Sequence, residues 1–328
     1  MKITQLLPVA IKVDKSQLPP QLLEELKPYK ARRPGRFLLE AAYCWTVVFA
    51  VIVAAVLLQS WVATVVAIIV VATRQNVLAL LVHEQTHCTG LKAYPGDILT
   101  NLIAGYPLLL LTVEGYAQVH LAHHGKYFSQ DDPDYRRKIG EEWNYPMTPG
   151  KFLQLLLGDV LALNVVKLVR GKKPSSTDEG FARRNNMPRW LRPAYLLGLA
   201  IVLSVTELWG VFLLYWVLPL LTITQLIIRW GAVCEHQYNR LGASVQETTP
   251  LIVLKWWEKL ILPNLNFTYH LYHHYFPGVS FGQLPKVHEA FVRHGLVDDD
   301  AVFYGYWSYL KFLLSEEVPG QVSARYAR

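Results

Sequence analysis

Cysteine is scarce in this chain: Cys44, Cys88 and Cys234 are the only three in 328 residues, and no CxxC pair occurs. That excludes a disulfide framework and a cysteine-ligated iron–sulfur cluster. No glycine-rich dinucleotide fingerprint is present, so no flavin or nicotinamide site is read from the sequence, and no cofactor-binding residues beyond metal ligands are assigned. Charge is also sparse. Charged residues make up 17% of the chain and hydrophobic residues 52%, a balance unlike that of a soluble domain. The opening MKITQLLPVAIKVDKSQLPP lacks a long apolar core after its first charges, so it does not read as a cleavable signal.

The apolar residues are bunched into runs. Residues 37–60 carry one charge, Glu40, and are long enough to cross a bilayer core, which takes roughly 20 helical residues. Residues 61–82 follow at once, broken by Arg74, Gln75 and Asn76. A second pair lies between Leu191 and Trp230, with residues 207–210 as the turn. This pattern predicts an all-α membrane protein with four transmembrane helices in two hairpins and a cytoplasmic helical cap. Lys27, Lys30, Arg32, Arg33 and Arg36 precede the first helix. Arg136, Arg137, Lys138, Lys167, Arg170, Lys172, Lys173, Arg183 and Arg184 fill the central segment, and neither turn carries Lys or Arg. Positive loops stay cytoplasmic, which places both termini and the central segment on that side. The net charge of +7 is then accounted for by topology and anionic lipid, not nucleic acid.

Three shorter runs test this topology. Residues 98–113 include Asn101, Gly105 and Pro107 and are expected to form a shallow or re-entrant segment. Residues 152–169 and the amphipathic stretch 251–262 are expected to lie on the membrane surface. The chain thus divides into a cytoplasmic segment 1–36, a membrane and catalytic region 37–280, and a cytoplasmic segment 281–328.

Histidine is where the chemistry concentrates. HLAHH (120–124) and HLYHH (270–274) hold six of the 11 histidines, and HEQTH adds His83 and His87. On a helix, positions i, i+3 and i+4 share a face, so His120, His123 and His124 project together, as do His270, His273 and His274. His236 follows the fourth helix, and the four-helix topology brings all nine to one membrane face. Packed imidazoles repel when protonated and need partners when neutral, and a metal supplies that partner. Nine ligands exceed one tetrahedral zinc and suit two metal ions, with zinc, copper, iron and nickel all compatible. His288 and His294 read as ordinary isolated histidines.

HEQTH, HLAHH and HLYHH resemble, in order and spacing, the HxxxH, HxxHH and HxxHH boxes of the integral-membrane fatty acid desaturase superfamily. The resemblance covers roughly residues 35–280, including the paired helices before box one and between boxes two and three. DDPD (131–134) and NFTYHLYHH, with Asn266 one turn ahead of box three, also resemble it. It implies two iron ions held by histidine, O2 as co-substrate, and removal of hydrogen from an unactivated C–H bond, giving an alkene or, with oxygen rebound, an alcohol. His236 sits where acyl-CoA desaturases place an additional ligand. Two departures weigh against an acyl-CoA substrate: three residues separate His83 and His87 where the animal acyl-CoA enzymes have four, and Ala232 stands where those enzymes have asparagine.

The resemblance also implies an external electron donor, a ferredoxin, rubredoxin or cytochrome b5 with its reductase. Glu84, Gln118, Asp131, Asp132, Asp134, Glu235 and Asn266 adjoin the boxes and are candidates to orient imidazoles. Arg74 reads either as a contact to a polar substrate group or, with slightly more weight, as a structural pair with another helix. The leading functional reading is an acyl-lipid desaturase, with a hydroxylase or ketolase of a carotenoid, alkane or other lipid as the alternative. A zinc hydrolase leaves seven histidines idle, and a transporter places its ligands near the midplane.

Overall fold

The longest apolar runs fold into helices whose ends are marked by the sequence. The computed structural model describes residues 6–109, 111–170 and 187–314; Lys172, Lys173, Arg183 and Arg184 lie outside them. Helix α1 (Pro34–Leu58) starts with proline at its first position, and Gln59 ends it in the left-handed region with φ 47°. Ser60 then opens α2 (Trp61–Thr86), so the two form a tight antiparallel hairpin. Phe37, Ala41, Cys44, Val48 and Ala55 recur at helical spacing and form the buried stripe of α1. Leu39, Phe49, Val53 and Leu57 on α1, and Trp61, Val62 and Val66 on α2, are exposed. An apolar surface this extensive belongs in lipid.

Helix α3 (Val113–Gly125) carries the second histidine box. Helices α4 (Leu191–Val205) and α5 (Trp209–Glu235) are joined at Glu207, whose φ of 57° makes the turn. Proline shapes α5: a π-turn at Leu213–Val217 precedes Pro219, which has no N–H to donate, and the backbone breaks at Thr222. Among the described residues α1, α2 and α5 are long and apolar enough to span a bilayer, and α4 is apolar but shorter. Ala93–Leu108 and Val113–Gly125 form an apolar pair bent by 94°, the geometry of either a broken span or the re-entrant segment expected over residues 98–113.

The chain separates into two units. The membrane unit comprises Arg33–Gln118 and Leu156–Arg229, and the histidine unit comprises Met1–Arg32, Val119–Leu155 and Trp230–Arg328. The core of the histidine unit is built around α6 (His270–Tyr275) and α7 (Leu284–Arg293). Leu284, Val287, Ala290 and Phe291 of α7 pack with Leu271, Tyr272 and Tyr275 of α6 and with Leu22 and Leu26 of Pro20–Leu26. Segment 251–262, expected as an amphipathic stretch on the membrane surface, is part strand and part helix. Ile252 and Val253 form a strand, β1, paired in parallel with β2 (Phe303–Tyr304), and only Trp256–Ile261 is helical. The reason is burial: Leu251 and Ile252 are core residues, and extended backbone lets them face inward ahead of the helix.

Candidate metal centre

The HxxHH spacing acts as helical geometry requires. In α6 one face, Leu271, Tyr272 and Tyr275, enters the apolar core, which turns His270, His273 and His274 together to the other side. In α3, His120, His123 and His124 align likewise, and all but His124 of these six are buried. His236 directly follows Glu235, the last residue of α5, and its N–H bonds the carbonyl of Ala232. In the histidine unit the seven imidazoles form two groups. His124 Nε2 lies 3.0 Å from His120 Nε2 and 3.1 Å from His273 Nε2. His236 Nε2 lies 3.2 Å from His123 Nε2, 3.1 Å from His270 Nε2 and 3.1 Å from His274 Nε2, and the last two are 3.2 Å apart.

His83 and His87 belong to the membrane unit, with rings 5.3 Å apart and ligand nitrogens within 4.8 Å of one another. His83 lies in α2, but His87 caps it instead of continuing it. The helix stops there because Cys88 adopts φ 54°, and Thr86 and Thr89 hydroxyls donate to the carbonyls of His83 and Glu84.

Hydrogen bonding among neutral imidazoles does not satisfy the second group. His236, His270 and His274 present three Nε2 atoms mutually 3.1–3.2 Å apart. Each Nε2 carries a single in-plane N–H or a single lone pair, so no arrangement of protons makes three good bonds among three such atoms. Burial, followed by neighbouring histidines, pushes His236, His270 and His274 well below the ordinary imidazole range, so each is neutral and offers a lone pair. Nitrogens about 2.0–2.1 Å from one ion would stand ~3.4 Å apart, close to the separations among His236, His270 and His274, and His123, His236 and His274 also have ligand atoms within 4.8 Å of one another. The residues fit a cation.

A family model for fatty acid desaturases matches residues 59–307. The chain belongs to the fatty acid desaturase family. At that level it is a desaturase-like membrane oxidoreductase. No curated protein matches it at a significant level.

Within this member of the family, the expected orienting groups divide. Asp132 is fully buried, and its Oδ2 lies 2.8 Å from His123 Nδ1 while accepting the N–H of Phe128. Its Oδ1 accepts the N–H groups of Asp134 and Tyr135, so the DDPD run is a helix start with Pro133 at the first position. Asp134 instead binds Lys138, Arg137 and the Tyr238 hydroxyl. Burial works to raise its carboxyl, but Lys138, His123 and Arg137 hold it well below the usual range. Asp131 and Gln118 are exposed, and Asn266 donates to the Phe281 carbonyl. Arg74 is buried and approaches Tyr43 of α1, which favours the structural reading. His288 bonds the Tyr272 hydroxyl and His294 bonds Glu25, both as ordinary side chains.

Sequence reasoning missed the partners of His236. Its Nδ1 lies 2.9 Å from Thr249 Oγ1 and 3.1 Å from the Tyr127 hydroxyl. Tyr127 is three residues past box two, a proximity that could have flagged it. Thr248 and Thr249 carry no sequence signal.

Proposed function

We propose that the chain is an O2-dependent di-iron oxidoreductase that desaturates an acyl chain of a membrane lipid. The ligand set is His83, His87, His120, His123, His124, His236, His270, His273 and His274. The observation that carries this reading is the convergence of the buried His236, His270 and His274, whose Nε2 atoms lie 3.1–3.2 Å from one another. Two iron ions held by these histidines would supply O2 activation and hydrogen removal from an unactivated C–H bond. The protein's own part is to hold each imidazole by its remote nitrogen, as Asp132 holds His123, and to exclude water from the reacting carbon. Two electrons per turnover come from a separate ferredoxin, rubredoxin or cytochrome b5. Both termini and the metal site face the cytoplasm, as the charge distribution supports.

Protein made with ample iron is expected to carry about two iron ions per chain. Iron-loaded protein, given reduced donor, O2 and deuterated lipid extract, is then expected to yield products that have lost two hydrogens. Gain of one oxygen would instead show a hydroxylase or ketolase, and one tightly held zinc with no turnover after iron loading would overturn the di-iron reading.

A further inference from the structure

Behind His236 runs a chain of four hydroxyl and carbonyl groups whose direction is fixed by its far end. Thr248 closes the short helix Val245–Thr248, is fully buried, and donates its only hydroxyl proton to the Ser244 carbonyl at 2.8 Å. A carbonyl accepts and never donates, so this bond has one polarity. Thr248 Oγ1 is therefore left as an acceptor, and the Tyr127 hydroxyl, 2.6 Å away, must be its donor. Tyr127 has no second proton.

That commitment decides the next contact. The Tyr127 oxygen also lies 3.1 Å from His236 Nδ1 and 3.2 Å from Thr249 Oγ1. With its proton already given to Thr248, it approaches both as an acceptor. An Nδ1 lone pair at 3.1 Å from that oxygen would be repulsive, whereas an Nδ1–H would be attractive. The second contact of Nδ1, Thr249 Oγ1 at 2.9 Å, is compatible with the same tautomer, because Thr249 can accept from Nδ1–H and donate its own proton to Tyr127. The network is then complete, with every proton used once. Placing the proton on Nε2 instead would aim it at the nitrogens of His123, His270 and His274.

We propose that Tyr127, Thr248 and Thr249 are positioning residues that fix His236 as its Nδ1–H tautomer and so present Nε2 to the metal as a lone pair. The inference rests on the di-iron reading for its consequence, but the tautomer itself belongs to the metal-free protein. It also explains how His236 is oriented with Ala232 in the position one turn before it. His123 is held by the carboxylate of Asp132, whereas His236 is held only by neutral hydroxyls. One ligand of the group is thus backed by a full negative charge and another by a relayed dipole.

The decisive group is the Thr248 hydroxyl, which bonds Tyr127 and the Ser244 carbonyl and not His236; the backbone carbonyl of Thr248, which accepts the N–H of Gln237, is kept in every variant. Thr248→Val frees the Tyr127 proton to turn toward Nδ1, which favours the wrong tautomer; Thr248→Ser restores the anchor. Full-length protein in detergent, labelled with nitrogen-15 histidine and stripped of metal, is examined by solid-state NMR for the His236 tautomer, assigned with His236→Gln. Ferrous iron retention against a graded chelator is measured in parallel. In the wild type His236 is expected as Nδ1–H. Thr248→Val and Thr249→Val should shift it toward Nε2–H and weaken iron retention roughly 10–100-fold, as loss of a supporting contact to a ligand does, while Thr248→Ser and Thr249→Ser match the wild type. Unfolding midpoints of each Val and Ser pair, compared by thermal scan, separate a lost fold from a lost tautomer. A wild-type Nε2–H signal, or a folded Thr248→Val protein with unchanged tautomer and iron retention, overturns the proposal. A wild-type protein with the Nδ1–H tautomer that binds no iron would leave the relay standing and sink the di-iron reading instead.

Discussion

The two units bury polar groups by opposite logic. In the membrane unit each buried polar group discussed below has a complementary partner. Gln75 donates to the Trp216 carbonyl at 2.7 Å and accepts the Thr224 hydroxyl at 2.6 Å. Arg229 pairs with Asp159, both buried. In the histidine unit, like faces like: His236, His270 and His274 turn the same kind of nitrogen toward one another. Surroundings that do not solvate polar groups leave no choice but to match every donor internally. Imidazole nitrogens turned toward one another are the arrangement a bound cation suits. The difference separates polar groups that hold the fold from polar groups that hold a ligand.

The strongest break of that comparison is removal of one converging imidazole. His274→Ala should abolish turnover and drop iron from about two toward one per chain, because its Nε2 meets both His236 and His270. Its thermal midpoint without metal should rise or stay level, since the deletion relieves three crowded neutral nitrogens. Iron content and melting, measured on the same monodisperse preparation, check both halves. Retention of two tightly bound irons would remove His274 from the ligand set.

How much of this was legible in the sequence follows from the range of each interaction. The histidine boxes were readable because the three-and-four spacing is a local property of a helix, and the apolar runs because span length is. Charge placement and the break at residues 207–210 located the second hairpin. Asp132 was readable only as a neighbour of box two; its choice over Asp131 and Asp134 depends on which carboxylate the helix start turns inward. Thr249 lies thirteen residues from His236, just past the short helix Val245–Thr248, and only folding brings its hydroxyl to the imidazole. In segment 251–262 the strand was not legible, because two residues are too short to show a period. The four-residue spacing of His83 and His87 does not reveal that the helix stops at Thr86, one residue before His87.

Acidity should distinguish the units next. Burial and neighbouring histidines hold His236, His270 and His274 well below their ordinary range in the folded protein. Unfolded, they titrate near about 6.5. As pH falls through that value the unfolded chain takes up protons that the folded chain refuses, so folding stability is greatest above it and declines below. Thermal midpoints of metal-free protein, followed from about pH 8 to about pH 5, should fall, and His274→Ala should fall less. Bound iron should be released over the same window. A midpoint that is flat or rises on acidification would mean that the three imidazoles are not held neutral.

The smallest effect is expected where the matching is one to one. Gln75→Leu preserves approximate volume and removes both amide functions from the interior of α2. The Trp216 carbonyl lies in the π-turn of α5, ahead of Pro219, where the helical ladder is already interrupted. Without Gln75 that carbonyl and the Thr224 hydroxyl must find other partners or go without, in a fully buried place. Leaving a buried acceptor unmatched costs roughly 1–3 kcal/mol, a measurable fall in the thermal midpoint. Iron stoichiometry and the His236 tautomer should be untouched, because no ligand in the histidine unit depends on the amide. Thr224→Val removes one of the two bonds and should cost about half as much. Loss of iron in Gln75→Leu at unchanged midpoint would reverse the assignment, making Gln75 part of the chemistry and leaving the π-turn to hold itself.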